Sequence, residues 1–222
     1  MSLIRFEIAQ AVLSTLVGVQ EPMPLPDVDS KSLATWLLQH DLAPLAYHVY
    51  SHHYPALTQH LQGDYFSAVA ENGMLFSLLE RVLKRLNQAE IPVVILKGAA
   101  VSTYAYPRPE LRMMSDIDLW VGARHIQDAA ALLTQDGLVQ KTKKGAFEQY
   151  GKIDLYAPEW IRGAIDLHAH MFAGYWLRTA TSIIDEMLFA EAHTFLIKEY
   201  SAYRLCAEDA LIHAALHVAI NH

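Results

Sequence analysis

Two short segments of this sequence place aspartates at alternate positions between apolar residues. An Asp-Ile-Asp-Leu run begins at Asp116, and an Ile-Asp-Leu-His run contains Asp166. Because side chains in a β-strand point alternately to its two faces, Asp116 and Asp118 share one face and their apolar neighbours share the other. The pattern therefore predicts two strands, each with one apolar face and one acidic face. If these strands are neighbours, three carboxylates converge.

Such a convergence of carboxylates requires a compensating charge. Two carboxylates about 4 Å apart repel each other by roughly 4 kcal/mol at an effective dielectric constant of about 20. A sheet that collects Asp116, Asp118 and Asp166 therefore needs a protonated member, a lysine or arginine partner, or a divalent cation. Mg²⁺ binds one or two carboxylates together with substrate phosphates. In phosphoryl and nucleotidyl transfer, a pair of such ions clamps the attacking and leaving oxygens.

The segments around these acids predict an α+β fold, with a mixed β-sheet and helices packed on it. A β-branched run at residues 91–96 is followed directly by Lys97 and Gly98. Apolar periodicity predicts a helix at residues 127–135. Turn residues separate the other predicted strands, which lie at residues 117–121, 139–143, 147–150, 153–156 and 164–168.

Helical patterns flank this central part, so we expect three regions, at residues 1–88, 89–170 and 171–222. The first contains predicted helices around residues 4–12, 33–37, 42–49 and 64–87, and the last contains helices at 183–192 and 208–220. The sequence stops at Asn221-His222 with no helix-ending signal, which favours a truncated chain or a shortened relative of a longer one.

The acidic motifs resemble those of the nucleotidyltransferase superfamily, which includes DNA polymerase beta and the antibiotic nucleotidyltransferases. Its members have an apolar strand, a glycine turn that opens a helix, an Asp-apolar-Asp strand and a third acid on a later strand. More narrowly, the sequence resembles the large family of uncharacterised nucleotidyltransferases, over roughly residues 90–220. The motifs that carry this resemblance are Leu96-Lys97-Gly98, Arg112 with the run from Asp116 to Leu119, the run from Ile165 to His168, and Ala207-Glu208-Asp209 followed by His213 and His217.

The resemblance implies a catalytic core at residues 89–170 that moves a nucleoside monophosphate from an NTP to an acceptor hydroxyl and releases pyrophosphate. It implies that Asp116, Asp118 and Asp166 are catalytic and bind Mg²⁺ or Mn²⁺. Asp166 would also help to deprotonate the hydroxyl. The flanking helical regions would form the cleft for an acceptor that is a small molecule or a protein.

The resemblance also implies how the triphosphate is held. Lys97, the backbone of Gly98 and Arg112 would bind it, although Arg112 could equally pair with Asp116 or with another acid nearby, Glu110. The superfamily commonly has Gly-Ser after the first strand, and this serine touches a phosphate. Here the pair is Gly98-Ala99, so the hydroxyl is missing and Lys97 would supply the charge instead.

Two other functions remain open. Asp166, His168 and His170 alternate as metal ligands do in some hydrolases, and carboxylate with imidazole suits Zn²⁺ or Mn²⁺. This alternative leaves Asp116 and Asp118 without a role. The second is a non-catalytic protein of this fold that binds a nucleotide or a partner.

Further expectations concern single residues. We expect the Asp118 carboxylate to be exposed in a cleft, so that its removal relieves repulsion and leaves the fold intact. Lys141, Lys143, Lys144 and Lys152 are expected to form a solvated hairpin rather than a binding site. His213 and His217 lie one helical turn apart, and we expect them to pack rather than to hold a metal.

Composition indicates which class of partner the protein binds and in which cellular compartment it lies. Hydrophobic residues make up 53% of the chain, which is ample for a packed core, and the formal net charge of -7 argues against a protein that grips a nucleic-acid backbone. No apolar run approaches the length of a membrane span, and the N-terminal segment lacks the clean apolar stretch of a signal peptide. With Cys206 as the only cysteine, these features predict a cytoplasmic protein.

Overall fold

The computed structural model describes residues 6–18, 28–141, 147, 151–159, 163–172 and 185–221. The chain divides into two compact units, of which the first comprises residues 1–73 and 106–113 and the second comprises residues 74–105 and 114–222. The three regions expected from the sequence, with boundaries at residues 88 and 170, are defined by the predicted type of secondary structure and not by compactness. This division stays a prediction.

The first unit is helical, as its apolar periodicity predicts. Its helices are α1 (Phe6–Leu16), α2 (Ser30–Gln39), α3 (Ala43–Tyr50) and the beginning of α4 (Pro55–Gln88), and a 3-10 turn spans Pro109–Leu111. Asp29 caps α2, because its side chain accepts a hydrogen bond from the backbone N–H of Ser32 at 2.9 Å. The helices enclose a core that includes the fully buried Leu33, Leu37, Leu57 and Leu61.

Helix α4 is longer than the sequence analysis expects, since it begins at Pro55 rather than near Asp64. Gly63 lowers helix propensity by about 1 kcal/mol relative to alanine and obscures the pattern at this point. Leu57 and Leu61 nevertheless continue the buried stripe at four-residue spacing. Burial of this stripe outweighs the local cost of the glycine.

The second unit contains, among the described residues, a seven-stranded mixed sheet, which confirms the predicted α+β class. Its strands are β1 (Val94–Ile95), β2 (Asp116–Trp120), β3 (Val139–Gln140), β4 (Lys152–Tyr156), β5 (Ala164–His168), β6 (His193–Ile197) and β7 (Tyr200–Arg204), in the order β3-β4-β5-β2-β1-β7-β6. The pairs β2–β5 and β1–β7 are parallel, and the other pairs are antiparallel. Among the described residues, the remaining helices are α5 (Lys97–Ala105), α6 (Ile126–Gln135), α7 (Asp185–Ala190) and α8 (Ala207–Asn221).

Each face of this sheet contacts its own apolar cluster. The main core joins alternate strand residues, among them Ile117, Leu155 and Ile165, to the C-terminal half of α4 and to α6. A smaller cluster on the opposite face contains Trp120 and partly buried residues of α7 and α8. Asp118 shares this second face with Trp120, because the two are separated by one residue on β2.

The β6–β7 hairpin lies in the region that we expected to be helical, and that expectation is wrong for residues 193–204. Its two-residue turn is Lys198-Glu199, with Lys198 at φ 53°, and it lacks the Asn-Gly or Asp-Gly pair that marks most such turns. Partly buried Phe195 and Tyr200 pack against the main core. Tertiary packing therefore decides the conformation here.

Two smaller differences concern the predicted strands at residues 139–143 and 147–150. Strand β3 ends at Gln140, and residues 142–146 lie outside the described part. The second segment also lies outside it, except for Phe147, whose backbone is helical. Across the described residues, no helix combines the length and the apolarity that crossing a membrane requires.

Two asparagines on α4 make matched contacts that test the fold. Asn72 is buried, and its Nδ2 donates to the carbonyl oxygens of Glu110 and Arg112 at 2.8 and 2.7 Å. We expect Asn72→Ala to lower the free energy of unfolding by about 2 kcal/mol, because both carbonyls lose their donor away from water. Urea unfolding followed by circular dichroism measures the change.

Asn87 provides the control, since it also makes two backbone hydrogen bonds, with Ser201, but at an exposed site. Asn87→Ala should cost less than about 1 kcal/mol, because water replaces the lost partners. Equal losses in the two variants would contradict the burial of the Asn72 contacts.

Candidate active site

Strands β2 and β5 bring the predicted carboxylates together. The two strands pair in parallel, and Asp118 lies directly opposite Asp166. This confirms the prediction that the strands carrying the acidic motifs are neighbours. One ligand atom each from Asp118, Asp166 and His168 lies within 4.8 Å of the others.

A third copy of the same tripeptide completes the arrangement. Ile-Asp-Leu occurs at Asp118 on β2, at Asp166 on β5 and at Asp154 on β4. Strand β4 pairs with β5 in the antiparallel sense, with Asp154 opposite Asp166. Three aspartates therefore form one row across three adjacent strands, and Asp166 is the middle one.

Asp118 is buried rather than exposed, so the expectation of a solvated carboxylate is wrong. Only 5% of the residue is accessible, because β2 lies inside the sheet between β1 and β5. Lys97 Nζ donates to Asp118 Oδ1 at 2.6 Å, and His168 Nε2 donates to the same oxygen at 2.9 Å. Removing the carboxylate would leave both donors without this partner, at a cost of roughly 2–4 kcal/mol, and would not stabilise the fold.

The partners of Asp118 also govern its protonation. Burial by itself raises the pKa of Asp118, but the hydrogen bond from His168 and the neighbouring Lys97 ammonium outweigh it. The net effect holds the pKa well below its ordinary value of 3.8. Asp118 is therefore a carboxylate at neutral pH.

Lys97 reaches Asp118 through an unusual backbone conformation. It is the first residue of α5, and its φ of 47° lies in the left-handed region that residues with a side chain rarely adopt. Such conformations cost about 1–3 kcal/mol and occur often at functional sites. The turn from β1 into α5 places a strained lysine beside the most buried carboxylate of the site.

Lys152 belongs to this site, and its assignment to a solvated hairpin is wrong. Its Nζ lies 2.7 Å from Asp166 Oδ2 and 2.9 Å from Asp154 Oδ1. The alternating run Lys-Ile-Asp-Leu that begins at Lys152 signals this, because it repeats the apolar-acid pattern of the other two strands. This repeat, and not the lysines nearby, is the sequence signal for the position of Lys152.

The charges in this row shift the pKa values of two further groups. Burial raises the pKa of Asp166, and the like charges of Asp118 and Asp154 add to this, while Lys152 opposes it. Burial alone lowers the pKa of Lys152, but its contacts with Asp166 and Asp154 raise it above the ordinary value. Lys152 is a permanent cation within the acidic row.

Asp116 lies at the beginning of β2, on the same face as Asp118 by alternation. It is partly exposed, and Ser115 Oγ donates to its Oδ1 at 3.1 Å. It is not a member of the compact group formed by Asp118, Asp166 and His168. Its role as a metal ligand stays a prediction.

The other predicted phosphate ligands occupy different places. Gly98 follows Lys97 in the first turn of α5. Arg112 belongs to the first unit, where its Nη1 donates to the carbonyl oxygen of Met113 at 3.2 Å. Contact of either residue with a triphosphate stays a prediction.

His170 does not join the group of potential metal ligands, so the set of Asp166, His168 and His170 does not form. Strand β5 ends at His168, and the alternation of side chains ends with it. His170 Nδ1 instead donates to Asp185 Oδ2 at 2.9 Å.

The donor set fits a divalent cation. Because a carboxylate accepts hydrogen bonds only, His168 Nε2 carries the hydrogen toward Asp118, and in the neutral ring Nδ1 keeps a lone pair. This Nδ1 is buried and has no hydrogen-bond partner among the described residues. Two carboxylates and an imidazole are donors that can hold a divalent cation.

The mixed sheet, with an Asp-apolar-Asp strand beside a strand that carries a third aspartate, is the arrangement that the resemblance to nucleotidyltransferases implies. The chain belongs to the family described as uncharacterised nucleotidyltransferases, whose model matches residues 26–222. This match confirms the predicted family and the class of enzyme, a transferase of nucleoside monophosphates.

Comparison with other proteins adds one structural neighbour. The chain is similar to the crystal structure of the lincosamide antibiotic adenylyltransferase LnuA bound to lincomycin, with 15% sequence identity and a TM-score of 0.42. The similarity covers 61% of this chain and 83% of LnuA. No curated protein matches the chain.

His213 on α8 makes the stability of the second unit depend on pH. It is buried, its Nε2 donates to the carbonyl oxygen of Met171 at 3.1 Å, and burial, aided by the charges of Lys97 and His168, lowers its pKa from 6.5 to about 4. Between these values the unfolded chain binds more protons than the folded one. We therefore expect stability to be full above pH 6.5 and to fall by roughly 3 kcal/mol as the pH decreases to about 4.

Urea unfolding between pH 4 and pH 7.5 measures this dependence. His213→Gln should flatten the curve in that window, whereas the exposed His193→Gln should leave it unchanged. A curve of the same slope in His213→Gln would show that another group causes the loss.

Proposed function

We propose that this chain transfers a nucleoside monophosphate from an NTP to a hydroxyl of a small-molecule or protein acceptor in a reaction that depends on Mg²⁺ or Mn²⁺. Pyrophosphate is the second product. The bond between the α- and β-phosphates breaks, and the acceptor oxygen forms a new bond to the α-phosphorus. Family membership supports the class of reaction, and the site supports the roles of individual residues.

One observation carries this proposal, namely the alignment of Asp118 with Asp166 on adjacent parallel strands, next to His168. Both carboxylates lie on the sheet face opposite the main core. The two carboxylates repel each other, and Lys97 and Lys152 offset only part of this repulsion. Binding of a divalent cation, together with its charged substrate, would offset the repulsion that remains between these carboxylates.

A bound divalent cation would neutralise charge on the triphosphate and on the reacting oxygens. Asp118 and Asp116 would hold it from β2, and Asp166 would hold it from β5. Asp166 would also accept the proton of the acceptor hydroxyl, a role that its raised pKa supports. His168 keeps the Asp118 carboxylate in place through its hydrogen bond and is a candidate ligand.

The N-terminus of α5 would bind the phosphates. The first backbone N–H groups of a helix have no partner within the helix, and the helix dipole favours an anion at this end. Lys97 lies in this turn and pairs with Asp118. The Lys97 ammonium would contact the triphosphate once a bound cation neutralises Asp118.

A second function, nucleotide binding without turnover, is favoured by Ala99. This residue replaces the serine that commonly touches a phosphate, and its side chain is buried in the main core with 1% accessibility. A hydroxyl is thus missing at the position where the superfamily commonly has one. Turnover distinguishes the two functions, since a binder retains ATP and releases no pyrophosphate.

The proposed roles predict that Asp116→Ala abolishes turnover without unfolding the chain. Asp116 is partly exposed and contacts Ser115, so thermal unfolding should change little. Pyrophosphate release should fall about 100-fold or more, because a ligand of the cation is lost. The assay supplies each NTP with a mixture of cell metabolites as acceptors, and EDTA should stop release in the wild-type chain.

Asp128→Ala is the control, since Asp128 is an exposed aspartate on α6 in the same unit. It should release pyrophosphate at the wild-type rate. Release that survives EDTA or Asp116→Ala would contradict the proposed cation site. A wild-type chain that binds ATP and releases no pyrophosphate would favour the binder.

A further inference from the structure

Asp166 occupies the least favourable electrostatic position in the acidic row. Asp118 lies opposite it on one neighbouring strand, and Asp154 lies opposite it on the other. Both neighbours repel its carboxylate. An unrestrained Asp166 side chain would rotate to increase these two distances.

Lys152 restrains the Asp166 side chain. The ammonium group lies 2.7 Å from Asp166 Oδ2, so this oxygen is occupied and Oδ1 is left for other ligands. A second contact of 2.9 Å, to Asp154 Oδ1, fixes the ammonium itself. Lys152 and Asp154 belong to the same strand and lie on the same face, so the pair forms a rigid support beside Asp166.

We propose that Lys152, anchored by Asp154, is a positioning residue that orients Asp166 toward the acceptor hydroxyl. This inference rests on the proposed nucleotidyl transfer. Lys152 acts through Asp166 and need not touch either substrate.

The surroundings of Lys152 separate this role from simple charge neutralisation. Its side chain is 30% exposed, and both of its carboxylate contacts are less exposed than that. Lys141, which directly follows the neighbouring strand β3, is exposed and stacks over the Tyr156 ring at 4.4 Å. Lys141 therefore serves as a control cation, since it lies outside the row of Asp118, Asp166 and Asp154.

The separate roles of these residues predict whether turnover or affinity for nucleotide changes. Asp116, Asp118 and Lys97 would still hold the cation and the phosphates when Asp166 is misplaced, whereas in the proposed reaction only Asp166 accepts the proton of the acceptor hydroxyl. Loss of the Lys152 support should therefore slow turnover and leave the affinity for nucleotide nearly unchanged. A structural role alone would weaken binding, turnover and thermal stability together.

The experiment compares Lys152→Met, Lys152→Arg and Asp154→Asn with Lys141→Met and the wild-type chain. Titration calorimetry with Mn²⁺ and a non-hydrolysable ATP analogue measures affinity. Pyrophosphate release at saturating ATP, with the same mixture of cell metabolites throughout, measures turnover. Thermal unfolding by circular dichroism shows that each variant is folded.

Lys152→Met should slow pyrophosphate release by about 100-fold, the effect of misplacing a reacting group by about 1 Å, while affinity for the analogue changes less than about threefold. Lys152→Arg should recover about tenfold of this loss, because its guanidinium can contact both carboxylates. Asp154→Asn should lose about tenfold, since the lysine keeps one of its two contacts. Lys141→Met should match the wild-type chain.

Three outcomes would overturn the inference. If folded Lys152→Met or Asp154→Asn turns over at the wild-type rate, Lys152 does not position Asp166. If affinity falls in parallel with turnover in the folded variants, the contact is structural. If the wild-type chain releases no pyrophosphate, the proposed function fails and this inference fails with it, whereas in the first two cases only the inference fails.

Discussion

The register between strands β4, β5 and β2 builds both the apolar core of the second unit and its row of aspartates. Each strand contributes an Ile-Asp-Leu triplet, and pairing places the three aspartates side by side. A slip of one residue in any strand would move an aspartate into the main core and an isoleucine or leucine out of it. Burial of the apolar face therefore stabilises the same register that builds the acidic face. Stability and site geometry have one cause.

The acidic face is stable because two lysines compensate it from different directions. Lys97 comes from the turn before α5 and contacts Asp118, while Lys152 comes from β4 and contacts Asp154 and Asp166. Without them, carboxylates on adjacent strands would repel by several kcal/mol. Together the lysines neutralise part of the charge and leave the row acidic. In the proposed function, the remaining negative charge would attract a divalent cation.

Much of this architecture follows from local patterns, and the rest depends on contacts between segments distant in sequence. Alternation of acids with apolar residues predicts β2 and β5, their apolar faces and the convergence of Asp118 with Asp166. It does not reveal that β2 lies inside the sheet, and so the burial of Asp118 came from the structure. The role of Lys152 depends on strand order, because only the β4–β5 pairing brings it to Asp166. The β6–β7 hairpin forms through packing against the core, without a local turn signal.

The most direct test of the central claim, that Asp118 and Asp166 form a cation site for a nucleoside triphosphate, is a crystal structure with Mn²⁺ and a non-hydrolysable ATP analogue. Anomalous scattering at the manganese edge locates the ion independently of the protein density. We expect a peak at about 2.1–2.2 Å from oxygens of both carboxylates, with phosphate oxygens completing its coordination and the triphosphate at the N-terminus of α5. A bound analogue whose manganese lies away from Asp118 and Asp166, or whose phosphates lie away from Lys97, would contradict the account.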